Sequence, residues 1–278
     1  MKTLLKLIKL DIKKGFKFCK LKYLFSFLAL TALAILSFAY YQKANSNPNL
    51  GDTLIYLLSG ITFYEPDPQR DIPFEIPNTW LVVFLLCSYL TLEYPSEDLD
   101  EQGEISVLVC GSKTKWWLSK CIWVVLATIS YFLLLALAAT IATLIAGGTL
   151  SLEVKPETLQ GIKEYSSNLI EAPWNTPFLF LSIIIVSCAI NLIQLFASII
   201  IKPLPAFGAV AVLYILSAYF SNPLLLGEYL LTARNAVFVE NGFSPFIGLI
   251  LSIALALWAT IFSTLYFKQS DLITRGES

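Results

Sequence analysis

Six apolar blocks dominate the chain: Tyr23 to Tyr41, Thr79 to Tyr94, Cys121 to Ala146, Pro177 to Ile201, Ala206 to Ser221 and Pro245 to Phe267. Each approaches the ~20 residues that a helix rising 1.5 Å per residue needs to cross a ~30 Å hydrocarbon core. Polar or Pro/Gly-marked stretches separate them. The pattern predicts an all-α polytopic membrane protein with six transmembrane helices in one membrane domain over residues 1–278. The first block follows a basic leader. It is nevertheless long for a signal-peptide core, and no small-x-small cleavage site follows near Gln42, so it reads as a retained anchor.

Ahead of that block the pattern becomes amphipathic. Leu4, Leu5, Ile8, Ile12, Phe16 and Cys19 recur at helical spacing, while Lys2, Lys6, Lys9, Lys13, Lys17 and Lys20 take the other face. This predicts an interfacial helix over 1–22, its lysines on the anionic head groups of the bilayer and its apolar stripe in the acyl boundary. Such a helix lies flat before the chain turns into the first span. The alternative is a basic leader that only sets topology.

Composition agrees: 56% of residues are hydrophobic and only 14% charged, against about a quarter charged in soluble domains. The excess apolar surface must face lipid. Charge distribution then orients the spans. With six of them, 14 of the 19 Lys and Arg fall on the side of the termini and 5 on the other. By the positive-inside rule, both termini are cytoplasmic and the protein is a multi-pass protein of the cell membrane. Trp80 and Trp174 then fall at the outer interface, and Trp116, Trp117 and Trp123 near the inner one. The net charge of −1 carries no nucleic-acid footprint.

No histidine is present, which removes histidine-dependent triads, zinc sites of the His-Glu-x-x-His type and histidine proton relays. Cys19, Cys87, Cys110, Cys121 and Cys188 show no metal-ligand spacing and fall outside the outer loops, so they read as packing residues, and no metal site is expected.

Between the second and third blocks, the acidic run from Glu93 to Glu104 leads through Leu108 and Val109 to Gly111. Pro95 and Ser96 suit a helix start, the acids suit its first turns, Gly111 suits its C-terminal cap, and Ser112 can cap the following helix. This predicts a short cytoplasmic helix, acidic at its start and apolar at its end, suited to docking on a partner; the alternative is a solvated connector. Gly111 to Thr114 does not form a phosphate loop, because Ser106 stands where the first glycine is needed, and no nucleotide-binding fingerprint occurs elsewhere. Any ATP-driven work therefore requires another subunit. Gln42 to Asn78 suits an outer interfacial helix followed by a proline-rich strap. Leu224 to Phe238, with Glu228 and Arg234, is too apolar for a free loop and suits a re-entrant element lining the mouth of a path. Asn191 and Gln194 share one face of the fourth span, where they line a path or make interhelical hydrogen bonds.

This order of parts resembles the short permease subunits of ATP-binding-cassette exporters, the type-2 permease superfamily. The arrangement covers nearly the whole chain. Locally, Gly51-Asp52, Ile76-Pro77-Asn78-Thr79-Trp80, Tyr94-Pro95-Ser96-Glu97-Asp98-Leu99, Gly103 and Trp116-Trp117-Leu118-Ser119-Lys120 resemble Gram-positive, hence bacterial, permeases associated with peptide-antibiotic or bacteriocin export, resistance or immunity. The resemblance implies a coupling helix between spans two and three and a re-entrant outer element between spans five and six. It also implies a second permease copy or a related permease, and two cytoplasmic ATPase subunits that hold the ATP and Mg; no cofactor belongs to this chain and it is not itself an enzyme. The substrate class is an amphipathic peptide, antibiotic or lipid-like molecule. Asp98, Asp100, Glu101, Gln102, Glu104, Leu108 and Val109 are the expected ATPase contacts, by position in the coupling segment. Three other classes compete with this one: an integral membrane immunity or assembly factor, an ion-coupled carrier, for which the spans lack acids, and a membrane enzyme, for which no catalytic constellation is present.

Overall fold

The computed structural model describes residues 2–43, 47–64, 73–99, 112–161, 169–171 and 174–269. Among these the fold is all-helical, with only isolated β-bridges such as Asn49 to Thr149 and Asn235 to Phe243. In chain order the helices are α1 (Lys2–Lys43), α2 (Leu50–Leu58), α3 (Asn78–Leu92), α4 (described over 94–99), α5 (Lys113–Ile145), α6 (Pro156–Gly161), α7 (Thr176–Ile201), α8 (Pro203–Tyr219) and α9 (Pro245–Gln269). Between α8 and α9 lie two short 3-10 helices, η1 (Leu226–Leu230) and η2 (Thr232–Arg234).

Among the described residues, four helices are long and apolar enough to cross a membrane: α1 over Thr3–Ser37, α5, α7 and α9. α8, with 17 residues, is apolar but shorter, about 25 Å at 1.5 Å per residue. α3 has 15 residues and spans about 22 Å. Side-chain contacts fix the directions. The α1 residue Lys22 meets Glu93 beyond the end of α3, Thr53 of α2 meets Thr143 near the end of α5, and Trp117 near the start of α5 donates to Ser263 near the end of α9. α1 and α5 run parallel, Asp11 facing Lys120 and Tyr23 facing Ser130, whereas α9 runs antiparallel to α5.

One expectation is corrected at the start of the chain. The predicted turn between an interfacial helix and a first span does not exist: α1 is one helix of 42 residues, about 63 Å long. No proline occurs before Pro48, so nothing in this stretch removes a backbone donor or forces a kink. Nor does the apolar stripe simply face lipid. Asp11, Gly15, Cys19, Ser26, Leu30, Ala34, Ser37 and Tyr41 form a buried row at near-helical period, and the adjoining Leu4, Ile8, Ile12 and Phe16 are half-buried. Lys6, Lys9, Lys13, Lys17 and Lys20 are exposed and share an arc of about 80° on the outward side. Exposed Leu5 flanks that arc on one side and exposed Leu10 and Leu21 on the other.

The close fit of α1 to α5 depends on Gly15. A Cβ there would stand 2.0 Å from Trp123 Nε1, against the indole ring itself. Gly15→Ala is expected to destabilise the protein by about 1–3 kcal/mol through overpacking, read as a lower thermal unfolding midpoint in detergent. Gly208→Ala is the control, because nothing lies within 4 Å of the Cβ that it adds. Equal midpoints for the two variants would show that α1 does not seat on Trp123.

The tryptophans are a second correction. Trp80, Trp116, Trp117 and Trp123 are at most 1% exposed, inside the protein and not at a lipid interface. An indole N–H placed at a helix end needs a partner, and two find one within the bundle: Trp80 donates to the Leu230 carbonyl at 3.0 Å and Trp117 to Ser263 Oγ at 2.7 Å. Among the cysteines, Cys19, Cys87 and Cys121 are buried and Cys188 is half-buried, all as free thiols; Cys110 lies outside the described residues.

Candidate coupling site

The acidic segment after α3 is anchored by charges from two other helices. Lys120 of α5 is fully buried, and its ammonium meets Asp11 Oδ1 of α1 at 2.5 Å and Asp98 Oδ2 of α4 at 2.6 Å. Asp11 also accepts from Tyr94 Oη at 2.9 Å and from Ser119 Oγ at 2.5 Å. The Tyr94 and Trp116 rings lie 4.7 and 4.9 Å from the ammonium and close the cage as cation–π faces. Phe267 near the end of α9 stacks on both Trp116 and Trp117, with ring centroids 5.3 Å away in each case. At the rim, Lys14 reaches Asp98 at 3.6 Å, and Lys22 pairs with Glu93 at 2.5 Å.

Local sequence places these groups. Ser112 caps α5, its hydroxyl accepting from the Lys115 N–H, and the helix so begun carries Trp116, Ser119 and Lys120 inward over its first two turns. Asp11 sits in the small-residue row of α1 with Gly15 and Cys19, so the backbones approach closely enough for short carboxylate contacts. Burying three charges is unfavourable unless they are paired and hydrogen-bonded, which this cage achieves. Mechanically, it joins α1, α4, α5 and α9.

Of the expected docking residues, Asp98 is only 9% exposed and turned inward onto Lys120. Asp100, Glu101, Gln102, Glu104, Leu108 and Val109 lie outside the described residues, as does the Lys2 side chain. Sequence reasoning missed Asp11 and Lys120. The available signal was that Asp11 is the sole acid among residues 1–22 and falls off the lysine face.

The polar residues of the fourth block are engaged inside the bundle. Asn191 Nδ2 donates to Thr128 Oγ1 at 2.9 Å, and its Oδ1 accepts from Ser88 Oγ at 3.0 Å. Gln194 Nε2 donates to the Ser88 carbonyl at 2.9 Å, and the Ser88 hydroxyl lies 3.2 Å from Tyr214 Oη. The network ties α3, α5, α7 and α8 together. At the opposite end of the bundle, Glu228 of η1 and Arg234 of η2 form a wholly buried ion pair at 3.0 Å. Burial pushes the Glu228 carboxyl up, to about 7, with the Arg234 guanidinium opposing the shift.

No family model, curated protein or solved structure matches the chain.

Proposed function

We propose that this chain is the membrane permease subunit of an ATP-driven exporter, with α1, α3, α5, α7, α8 and α9 as six spans and both termini in the cytoplasm of a bacterial cell. The observation that carries this reading is the buried Asp11–Lys120–Asp98 cage. It fastens the segment between α3 and α5 to the two helices beside it, so that force applied to residues 100–111 is transmitted into α1 and α5. A chain without a phosphate-binding loop needs such an external input. Cytoplasmic ATPase subunits supply it, holding ATP and Mg, and a second permease copy or a related permease completes the path for an amphipathic peptide, antibiotic or lipid-like substrate. η1 and η2 are the outer re-entrant element. The exposed lysine arc of α1 faces anionic head groups.

A second reading, a non-transporting membrane immunity or assembly factor, is favoured by the Asn191 network, which commits the amides of α7 to contacts within one chain. Purification with the co-encoded neighbours separates the two. Recovery of a Walker-type ATPase whose hydrolysis responds to the permease supports the exporter; a stable chain with no such partner supports the second reading.

The orientation has its own test. Single cysteines at Asn47, Ser166 and Asn241 are expected to react with an impermeant maleimide on intact cells, and one at Ser112 is expected to react only after lysis. Labelling at Ser112 from outside reverses the topology and removes the coupling segment from the cytoplasm.

A further inference from the structure

Arg234 spends every donor of its guanidinium on backbone and carboxylate oxygens. Nε donates to the Ile61 carbonyl at 3.1 Å. Nη1 donates to the Ser217 carbonyl at 2.9 Å and to both Glu228 oxygens, at 3.1 and 3.0 Å. Nη2 donates to the Thr62 carbonyl at 3.1 Å and the Ala218 carbonyl at 2.5 Å. The Phe63 ring lies 5.5 Å from the guanidinium carbon. These acceptors come from three stretches distant in sequence: the segment after α2, the end of α8, and η1. Ser217 and Ala218 belong to the last turn of α8, whose carbonyls lack helical partners and sit at the negative end of the helix dipole.

Other bonds make the cap one piece without joining it to α8. The Ala233 N–H donates to the Ser59 carbonyl and Thr232 Oγ1 to the Leu58 carbonyl, each at 3.0 Å, and Leu231 packs over Gly60, whose φ of +72° disfavours a side chain. Residues 58–62 and η1–η2 are thus knitted together, and the Arg234 guanidinium fastens them to the α8 terminus. A Lys at this position offers three donors from a point charge and cannot reproduce the planar five-donor fork.

We infer that Arg234 is a latch that holds residues 58–62 and η1–η2 as a closed cap over one end of the bundle, and that opening this end requires its guanidinium to leave the Ser217 and Ala218 carbonyls. The Trp80 indole, donating to the Leu230 carbonyl of η1, ties the cap to α3 and stays in place when the Arg234 side chain releases the α8 terminus. The latch deepens the permease reading, on which its assignment to the outward exit rests, but its existence stands on the geometry alone.

The test uses the full chain in nanodiscs, with native cysteines replaced by Ala and one reporter added at Ser217→Cys, on a side chain that is 0% exposed beneath Gly227. A water-soluble maleimide should label this reporter very slowly. Arg234→Lys is expected to raise the rate by about tenfold or more, since one lost charge-assisted hydrogen bond already changes an equilibrium by that factor. Glu228→Gln, which keeps an acceptor oxygen, should raise it less. A second reporter at Ala127→Cys, 0% exposed within the bundle, should stay unlabelled throughout. Labelling of both reporters indicates general loosening and overturns the latch, as does an unchanged rate in folded Arg234→Lys. If that variant does not fold, an unchanged rate in Glu228→Gln overturns it instead. Addition of the copurified ATPase with nucleotide reads the permease assignment separately: a latch that responds to substitution but not to nucleotide leaves the inference standing and removes the exporter reading.

Discussion

Lys120→Met is expected to remove most of the folded protein from detergent extracts, the largest stability effect of any single substitution in the bundle. Methionine nearly matches the lysine stem in volume but leaves the Asp11 and Asp98 carboxylates buried together without the ammonium that now lies 2.5 and 2.6 Å from them. Stripping one partner from a buried ion pair costs about 3–5 kcal/mol, because the orphaned charge cannot recover its hydration. That is a large share of the 5–15 kcal/mol that holds a typical domain folded. Lys14 compensates little, since it is 36% exposed and stands 3.6 Å from Asp98. Combining Lys120→Met with Asp11→Asn and Asp98→Asn should restore most of the lost stability, because no charge is then left buried. Thermal unfolding monitored by size-exclusion chromatography reads the series. A single variant as stable as the parent would show that the cage is hydrated and open, and would take the proposed force path with it.

The helical architecture was legible because apolar period and block length are local signals. Ser112 was readable as the α5 cap because short-range chemistry determines it, whereas the Leu224 to Phe238 segment, expected as a re-entrant element, carries the 3-10 helices η1 and η2. The continuity of α1 was misread for a physical reason: the outward face changes from lysine to leucine near Leu21, and a change of solvent looks like a change of element. The absence of proline and the single glycine before Lys43 were the better guide. The cage itself was illegible, since Asp11 and Lys120 are 109 positions apart, and each alone reads as one more charge in a basic or interfacial stretch. The tryptophans misled in the same way, because residue type favours a lipid interface while only tertiary packing shows that Phe267 stacks on Trp116 and Trp117. Arg234 and Glu228 read as pore-facing for lack of any local sign that α8 ends beside them.

The largest functional effect is expected in the segment that follows α4. Reversing Asp100, Glu101 and Glu104 together to Lys, or replacing Leu108 by Asp, is expected to abolish ATPase copurification or to leave hydrolysis running without transport, while membrane insertion persists. The two changes act through different physics. Charge reversal replaces attraction at a rim by repulsion and slows association, whereas Leu108→Asp places an unpaired carboxylate in an apolar contact, at a cost of several kcal/mol if that contact is dry. The cage provides an internal comparison. Asp98 faces Lys120, so on the exporter reading Asp98→Asn should leave ATPase binding near the parental level while lowering the transport obtained per ATP, because the segment is then fastened less firmly to α5. A binding defect at positions 100–108 together with a coupling defect at Asp98 identifies the segment as a lever with its fulcrum at Lys120. Parental binding and transport in the charge-reversed and Leu108→Asp chains, at equal expression, would reduce the segment to a solvated connector and leave the immunity or assembly reading as the better account.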